Sequence, residues 1–270
     1  MPEAYIVDAV RTPVGKRNGG LAHVNPVDLG AHALEALVAR TGIDPGVVDD
    51  VVWGCIDNVG AQAGDIARSC WLAAGLPEHV PGVTLDRQCG SSQQAVHFAA
   101  QGVMSGTQDV VVAGGVQNMS MFPIGIAGIL AAEKGLPSRA DSKRWQERYG
   151  EAGEISQFRG AELIAEKWDI SREDMERFAY ESHQRALRAQ EAGRFEAEIS
   201  PLEGVTRDEG PRPDTTLEKM AGLRTLAEGG RLTAAVSSQI SDASAAMLVV
   251  SEKVLEQHGL TPRARIHHLS

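Results

Sequence analysis

The stretch Asp86-Arg87-Gln88-Cys89-Gly90-Ser91-Ser92-Gln93-Gln94-Ala95 sets one thiol at the junction between an apolar strand and a helix of small residues. Val83-Thr84-Leu85 precedes it, and Ala95-Val96-His97-Phe98-Ala99-Ala100-Gln101-Gly102-Val103-Met104 continues from it to Gly106. A cysteine at a helix N-terminus meets free backbone N–H groups and the positive end of the helix dipole, and both favour the thiolate. Cys89 is therefore the candidate nucleophile. The next segment, Asp109-Val110-Val111-Val112-Ala113 ahead of Gly114-Gly115, reads as a second strand. Strand, helix and strand in succession predict an α/β sheet with helical crossovers. The helix after Cys89 is apolar round most of its circumference, which predicts cover on more than one side.

Upstream, Asn25-Pro26-Val27-Asp28 reads as a helix start, with Asn25 as N-cap, Pro26 in the first position and Asp28 near the positive dipole end. Val27, Leu34, Leu37 and Val38 recur at helical spacing until Gly42. Val51 to Ile56 is predicted as a buried strand, and Ala63 to Ala74 as a helix closed by Gly75-Leu76-Pro77. Downstream, from Met119 to about Leu232, Gly, Pro, Arg and Glu become frequent and long apolar strands are missing. This segment reads as an excursion from the sheet. It holds a helix over Glu162–Trp168 and another capped by Ser171, with Glu173 and Asp174 in its first turn. Ala245 to Val250 returns to a core strand, Lys253 to His258 forms a short helix, and Arg265 opens another strand.

A chain of 270 residues, 43% hydrophobic and 23% charged, buries a substantial core as an ordinary globular protein. Its net charge of -10 argues against a nucleic-acid surface. Three cysteines with no Cys-x-x-Cys spacing indicate neither a disulfide framework nor a metal site, and suit a reducing, cytoplasmic setting. The first residues enter an apolar strand with no signal-peptide pattern, and no run approaches the length of a membrane span, so no membrane partner is expected.

With these segments in place, the sequence resembles the thiolase family of acyl-CoA acyltransferases. The resemblance rests on Val7-Asp8-Ala9-Val10-Arg11-Thr12-Pro13-Val14-Gly15-Lys16, on Gln88-Cys89-Gly90-Ser91-Ser92-Gln93-Gln94-Ala95, and on Ala113-Gly114-Gly115-Val116-Gln117-Asn118-Met119-Ser120. It extends to Asp208–Thr216 and to Thr233-Ala234-Ala235-Val236-Ser237-Ser238-Gln239-Ile240-Ser241-Asp242, which are similar to that family's coenzyme A loops. The resemblance implies a thiolase-like α/β fold, an N-terminal βαβαβαββ half with an inserted loop domain. Residues 1–118 plus 236–265 would form the N-terminal domain, 119–235 the loop domain that binds coenzyme A and substrate, and 266–270 the start of a C-terminal domain.

The same resemblance implies thiolytic cleavage of a 3-ketoacyl-CoA by coenzyme A, or the reverse condensation. Cys89 would carry the acyl group as a thioester and its own N–H would help hold the oxyanion. No cofactor is implied; coenzyme A is a substrate, and acyl-CoA and coenzyme A are the partners. Arg212 matches the arginine near the coenzyme A nucleotide, Ser238 the serine against pantetheine, and Ala234 and Ser237 would line the same loop. Ser156–Glu162, with Phe158 in it, stands where short-chain members carry a His-Met-Gly segment, and Ser237-Ser238-Gln239-Ile240-Ser241-Asp242 and Cys89-Gly90-Ser91-Ser92-Gln93-Gln94 resemble degradative members that act on bulkier lipid or sterol-derived acyl groups. A homodimer or homotetramer is implied.

The family's Asn-Glu-Ala-Phe, Gly-His-Pro and Cys-x-Gly segments, which supply the activating histidine and the acid/base cysteine, do not occur in residues 1–270. The reading is of a shortened chain with little or no turnover and one uncovered side on the Cys89 helix. Cys55 and Cys70 read as core residues, and His97 as a packed histidine about 12 Å along the helix from Cys89. Two alternatives stand: a ketoacyl-synthase relative, disfavoured by the long segment after Ser120, and a non-catalytic acyl-CoA-binding or scaffold protein.

Overall fold

The computed structural model describes residues 2–150 and 156–270. The chain divides into two compact units, Met1–Ile126 with Glu196–Glu209 and Ile240–Ser270, and Ala127–Phe195 with Gly210–Gln239. The first holds the sheet and the second is helical.

In the first unit, β1 (Ala4–Arg11) and the short β2 (Gly15–Lys16) lead to α1 (Pro26–Thr41). Asn25 caps α1 by accepting the Val27 N–H at 2.9 Å, and Gly42 ends it in the left-handed conformation. There follow β3 (Asp50–Gly54), α2 (Ile66–Ala73), β4 (Gly82–Leu85), α3 (Ser91–Ser105) and β5 (Val110–Asn118). The second unit carries α4 (Ile126–Glu133), α5 (Lys143–Tyr149), α6 (Gln157–Lys167), α7 (Arg172–Glu191) and α8 (Leu217–Ala221). The chain then returns through β6 (Ser241–Ser251), α9 (Glu252–His258) and β7 (Ala264–Arg265).

Among the described residues the strands form one seven-stranded sheet in the order β4-β3-β5-β6-β1-β7, with β2 on β6. β3 runs parallel to β4 and β5, whereas β6 runs antiparallel to both β5 and β1. The α/β sheet is therefore mixed. Its central strands are buried on both faces, which explains their nearly unbroken apolar sequence. Strand alternation sends Val51, Trp53, Val112, Leu248 and Val250 to the face under α1 and α2. It sends Val52, Val111, Ala113 and Val249 to the face under α3, against Ala95, Ala99, Ala100 and Val103.

The α3 helix has the uncovered side expected of the shortened chain, in place of the cover on more than one side that its apolar circumference suggested. It is covered on one side only: its alanines recur at helical spacing toward the sheet, while Phe98, on another side of the turn, is 46% exposed. Several boundaries also move. A 3-10 turn at Gly60–Gln62 and a left-handed Asp65 delay α2 to Ile66, and Ser156 caps α6 so that it starts at Gln157 rather than Glu162. The segment Glu196–Glu209 packs with the sheet because Arg11 pairs with Glu198 at 2.8 Å and with Asp208 at 2.6 Å. No described helix is long and apolar enough to cross a membrane.

Candidate active site

Cys89 stands beyond the carboxyl end of β4, in the turn that feeds α3. The turn is closed at short range: the Gly90 N–H donates to the Arg87 carbonyl and the Ser91 N–H to the Gln88 carbonyl, both at 3.1 Å. The Ser91 hydroxyl accepts the Arg87 N–H at 2.9 Å and donates to the Gln88 carbonyl at 2.6 Å. Gln88 adopts φ +50°, a left-handed conformation that costs a residue with a Cβ. Asp86 steadies that conformation by accepting the Gln88 N–H at 2.8 Å. Cys89 itself is exposed.

Two glycines paired across the parallel strands β3 and β5 let the start of α3 sit directly on the sheet. A Cβ on Gly54 would fall 2.5 Å from the Ser92 nitrogen and 2.6 Å from the Ser91 carbonyl carbon. One on Gly115 would strike the Ser92 hydroxyl and lie 2.6 Å from the Gly54 oxygen. Beside them, the Gln117 side chain accepts the Ile56 N–H at 3.1 Å and donates to Gln62 at 3.2 Å. Gln62, wholly buried, donates in turn to the carbonyls of Ile56 and Asp57. Buried Asp242 accepts both the backbone N–H and the hydroxyl of Ser120, fixing the end of β5.

The other two cysteines are chemically silent. Burial pushes the thiols of Cys55 and Cys70 up to about 12, and the nearby Asp86 charge adds to the rise at Cys55. Both are buried in the core as the sequence indicates.

The remaining candidate residues belong to the second unit. Thr233, fully buried, caps a 3-10 turn at Ala234–Val236, and the Ser237 hydroxyl donates to the Thr233 carbonyl at 2.9 Å. Ala234 and Ser238 are exposed and Ser237 half-buried, so the turn presents small polar and apolar groups to solvent. Gln239 donates to the Gly210 carbonyl at 3.1 Å, which ties this turn to the Arg212 segment. The Arg212 N–H donates to Nδ1 of His183, whose pKa is lowered by burial and by the Arg212 charge. Phe158 is exposed in the first turn of α6. One turn on, buried Glu162 accepts the N–H groups of Arg231 and Leu232 at 2.8 and 2.9 Å, so the helix bearing Phe158 anchors the segment leading into Thr233. Ala234, Ser237, Ser238, Arg212 and Phe158 are thus linked through one bonded framework in their own unit. Sequence reading missed Glu162, Gln62 and Asp242, because a buried polar side chain is recognisable only once its backbone partners are located. The glycines of the strands did carry a signal, since a glycine inside a strand often marks a close backbone approach.

The N-terminal domain model of thiolase matches residues 4–253. The chain belongs to the thiolase family. It is 62% identical to the steroid 3-ketoacyl-CoA thiolase FadA6 of Mycobacterium tuberculosis, a match that covers 100% of this chain and 67% of that one. It is 40% identical to the beta-ketoadipyl-CoA thiolase of Pseudomonas aeruginosa, over 98% of this chain and 70% of the relative. The crystal structure of the Bacillus anthracis acetyl-CoA acetyltransferase superposes with a TM-score of 0.84 at 35% identity, covering 98% of this thiolase chain and 70% of that one. This thiolase chain therefore spans about two thirds of the length of the relatives it matches.

Proposed function

We propose that Cys89 is the acyl-carrying nucleophile of a degradative thiolase acting on a bulky 3-ketoacyl-CoA of the steroid-derived kind. The single observation that carries the reading is the contrast among the thiols: Cys89 is exposed on a constrained turn at the start of α3, while Cys55 and Cys70 are buried. The substrate class draws on the steroid 3-ketoacyl-CoA thiolase at 62% identity and on Phe158 in the loop region.

The chemistry suits a thiolate. Its sulfur attacks the 3-keto carbon, the bond between the second and third carbons breaks, and the departing carbanion takes a proton to give acetyl-CoA. The shortened acyl group stays on Cys89 as a thioester until the thiol of coenzyme A displaces it. The Cys89 backbone N–H would help hold the developing oxyanion, an interaction whose loss typically costs about 10²–10³ in rate. Arg212, Ala234, Ser237 and Ser238 would hold coenzyme A, the guanidinium toward phosphate and the small residues along pantetheine. No Gly-His-Pro or Cys-x-Gly segment lies within these 270 residues, so the chain as it stands should acylate without turning over. A missing proton-transfer partner typically costs about 10²–10⁴-fold. A homodimer built on the edge of β4 that has no partner among the described residues, and a reducing, cytoplasmic setting, complete the reading; three unpaired cysteines suit the latter.

Intact mass spectrometry after incubation with acetyl-CoA tests the assignment. One acetyl group is expected on the native chain and none on Cys89→Ala. An acetyl group that survives Cys89→Ala would sink it, whereas steady thiolytic turnover by these 270 residues at the rate of a full-length thiolase would overturn the expectation that they do not turn over.

A further inference from the structure

We infer that Ser91 is a positioning residue for the nucleophile: its hydroxyl holds Gln88 in the left-handed conformation and so keeps the Cys89 sulfur presented outside the axis of α3. The inference rests on the reading of Cys89 as the nucleophile and adds a residue that the chemistry does not itself touch. Ser91 is 5% exposed, and its hydroxyl is engaged within the turn itself. Its one hydroxyl makes two bonds of opposite sense across the turn, accepting from Arg87 N–H and donating to the Gln88 carbonyl. Those two partners flank the Gln88 φ and ψ angles. The bonds therefore hold the one residue of the turn whose backbone is strained, immediately before Cys89.

An ordinary helix N-cap does not explain this arrangement. A capping serine accepts from an N–H two or three residues ahead, whereas Ser91 is the first residue of α3 and bonds backward. The helix cap position is occupied by Gly90, which makes no side-chain bond. A strained residue persists only where its surroundings over-determine it; beside the backbone bonds from Gly90 and Ser91 that close the turn, the side chains that hold Gln88 are the Asp86 carboxylate and the Ser91 hydroxyl. Of these, only Ser91 is packed against the sheet, where Gly54 leaves room for it. The strain at Gln88 is thereby referred to the rigid part of the fold.

Removing the hydroxyl should let Gln88 relax toward an ordinary conformation and rotate the Cys89 sulfur out of its place. Glycine at position 88 adopts positive φ with no Cβ penalty, so it should make the hydroxyl unnecessary. The test is the rate of iodoacetamide alkylation of each cysteine, followed by peptide mass spectrometry from pH 7 to 10, with Cys55 and Cys70 as internal reporters of folding. In Ser91→Ala the Cys89 rate should fall about tenfold at every pH sampled, while Cys55 and Cys70 stay unlabelled. Gln88→Gly alone should react like the native chain, and Gln88→Gly/Ser91→Ala should recover most of the lost rate. An unchanged Cys89 rate in Ser91→Ala overturns the inference. So does labelling of Cys55 and Cys70 in that variant, or failure of the double variant to recover, since either makes Ser91 a general packing residue. A native chain in which Cys89 reacts no faster than the other two would instead overturn the nucleophile reading on which the inference stands.

Discussion

Cys70 lies within α2 with its sulfur against Gly30 of α1, where a Cβ could not fit, and Cys55 follows β3 beside the Gln117 amide. Neither site offers water to a thiolate, which is why burial raises both thiols to about 12. The sign of the linkage follows. A folded-state pKa above the ordinary value of 9.0 contributes stability that is whole below about pH 9 and is lost as the pH rises toward 12. For each thiol the loss amounts to as much as about 4 kcal/mol. Urea unfolding measured between pH 8 and 11 should therefore show stability falling with pH, with a shallower fall in Cys70→Ala. Identical slopes would show that Cys70 ionises in the folded state as it does in the unfolded one. At the residue scale, Cys89 was legible because its neighbours are small and its position opens a helix. Ser91 was not singled out, since a hydroxyl that bonds backward across a turn leaves no pattern in the sequence.

The element that matters most is α3, and its placement depends on what the strands beneath it lack. Gly54 and Gly115 form a close seat in which backbone meets backbone, and neither can gain a methyl group without moving Ser91 or Ser92. Gly54→Ala and Gly115→Ala should each destabilise the fold by about 1–3 kcal/mol in urea titrations and slow Cys89 alkylation, because the displaced helix start carries the turn with it. Gly160 is the matched control. It lies inside α6, where a Cβ would meet nothing within 4 Å, so Gly160→Ala should leave Cys89 untouched and add up to about 1 kcal/mol of stability. Equal behaviour of the three variants would mean that the seat is not tight. Helices whose starts are written in one side chain, such as Asn25 for α1 and Ser171 for α7, were legible from sequence. α2 was placed too early because a 3-10 turn and the left-handed Asp65 precede it, and local propensity does not report either.

Across the whole molecule, the order of strands was the least legible feature. β6 inserts antiparallel between β1 and β5, with Ala113 paired to Met247 and Ala9 to the same residue from the other side. Apolar runs name the strands but not their neighbours, and the helical excursion separates these partners widely in sequence. The resulting sheet ends at β4, whose outer edge has no partner among the described residues and whose Val83 is 46% exposed. An open edge with an apolar side chain is a template for pairing. A symmetric pair of copies would bring each four-residue β4 against its twin, so that charges introduced at position 83 of the two copies lie near one another across the axis. Val83→Lys should therefore shift the chain from dimer to monomer in sedimentation velocity at low salt, with the shift partly reversed as added salt screens the two lysines. Far-ultraviolet dichroism should stay unchanged, since the side chain is half in solvent already. A dimer of unaltered strength in Val83→Lys would place the contact between copies elsewhere than on β4, and a monomeric native chain would remove the dimer from the reading altogether.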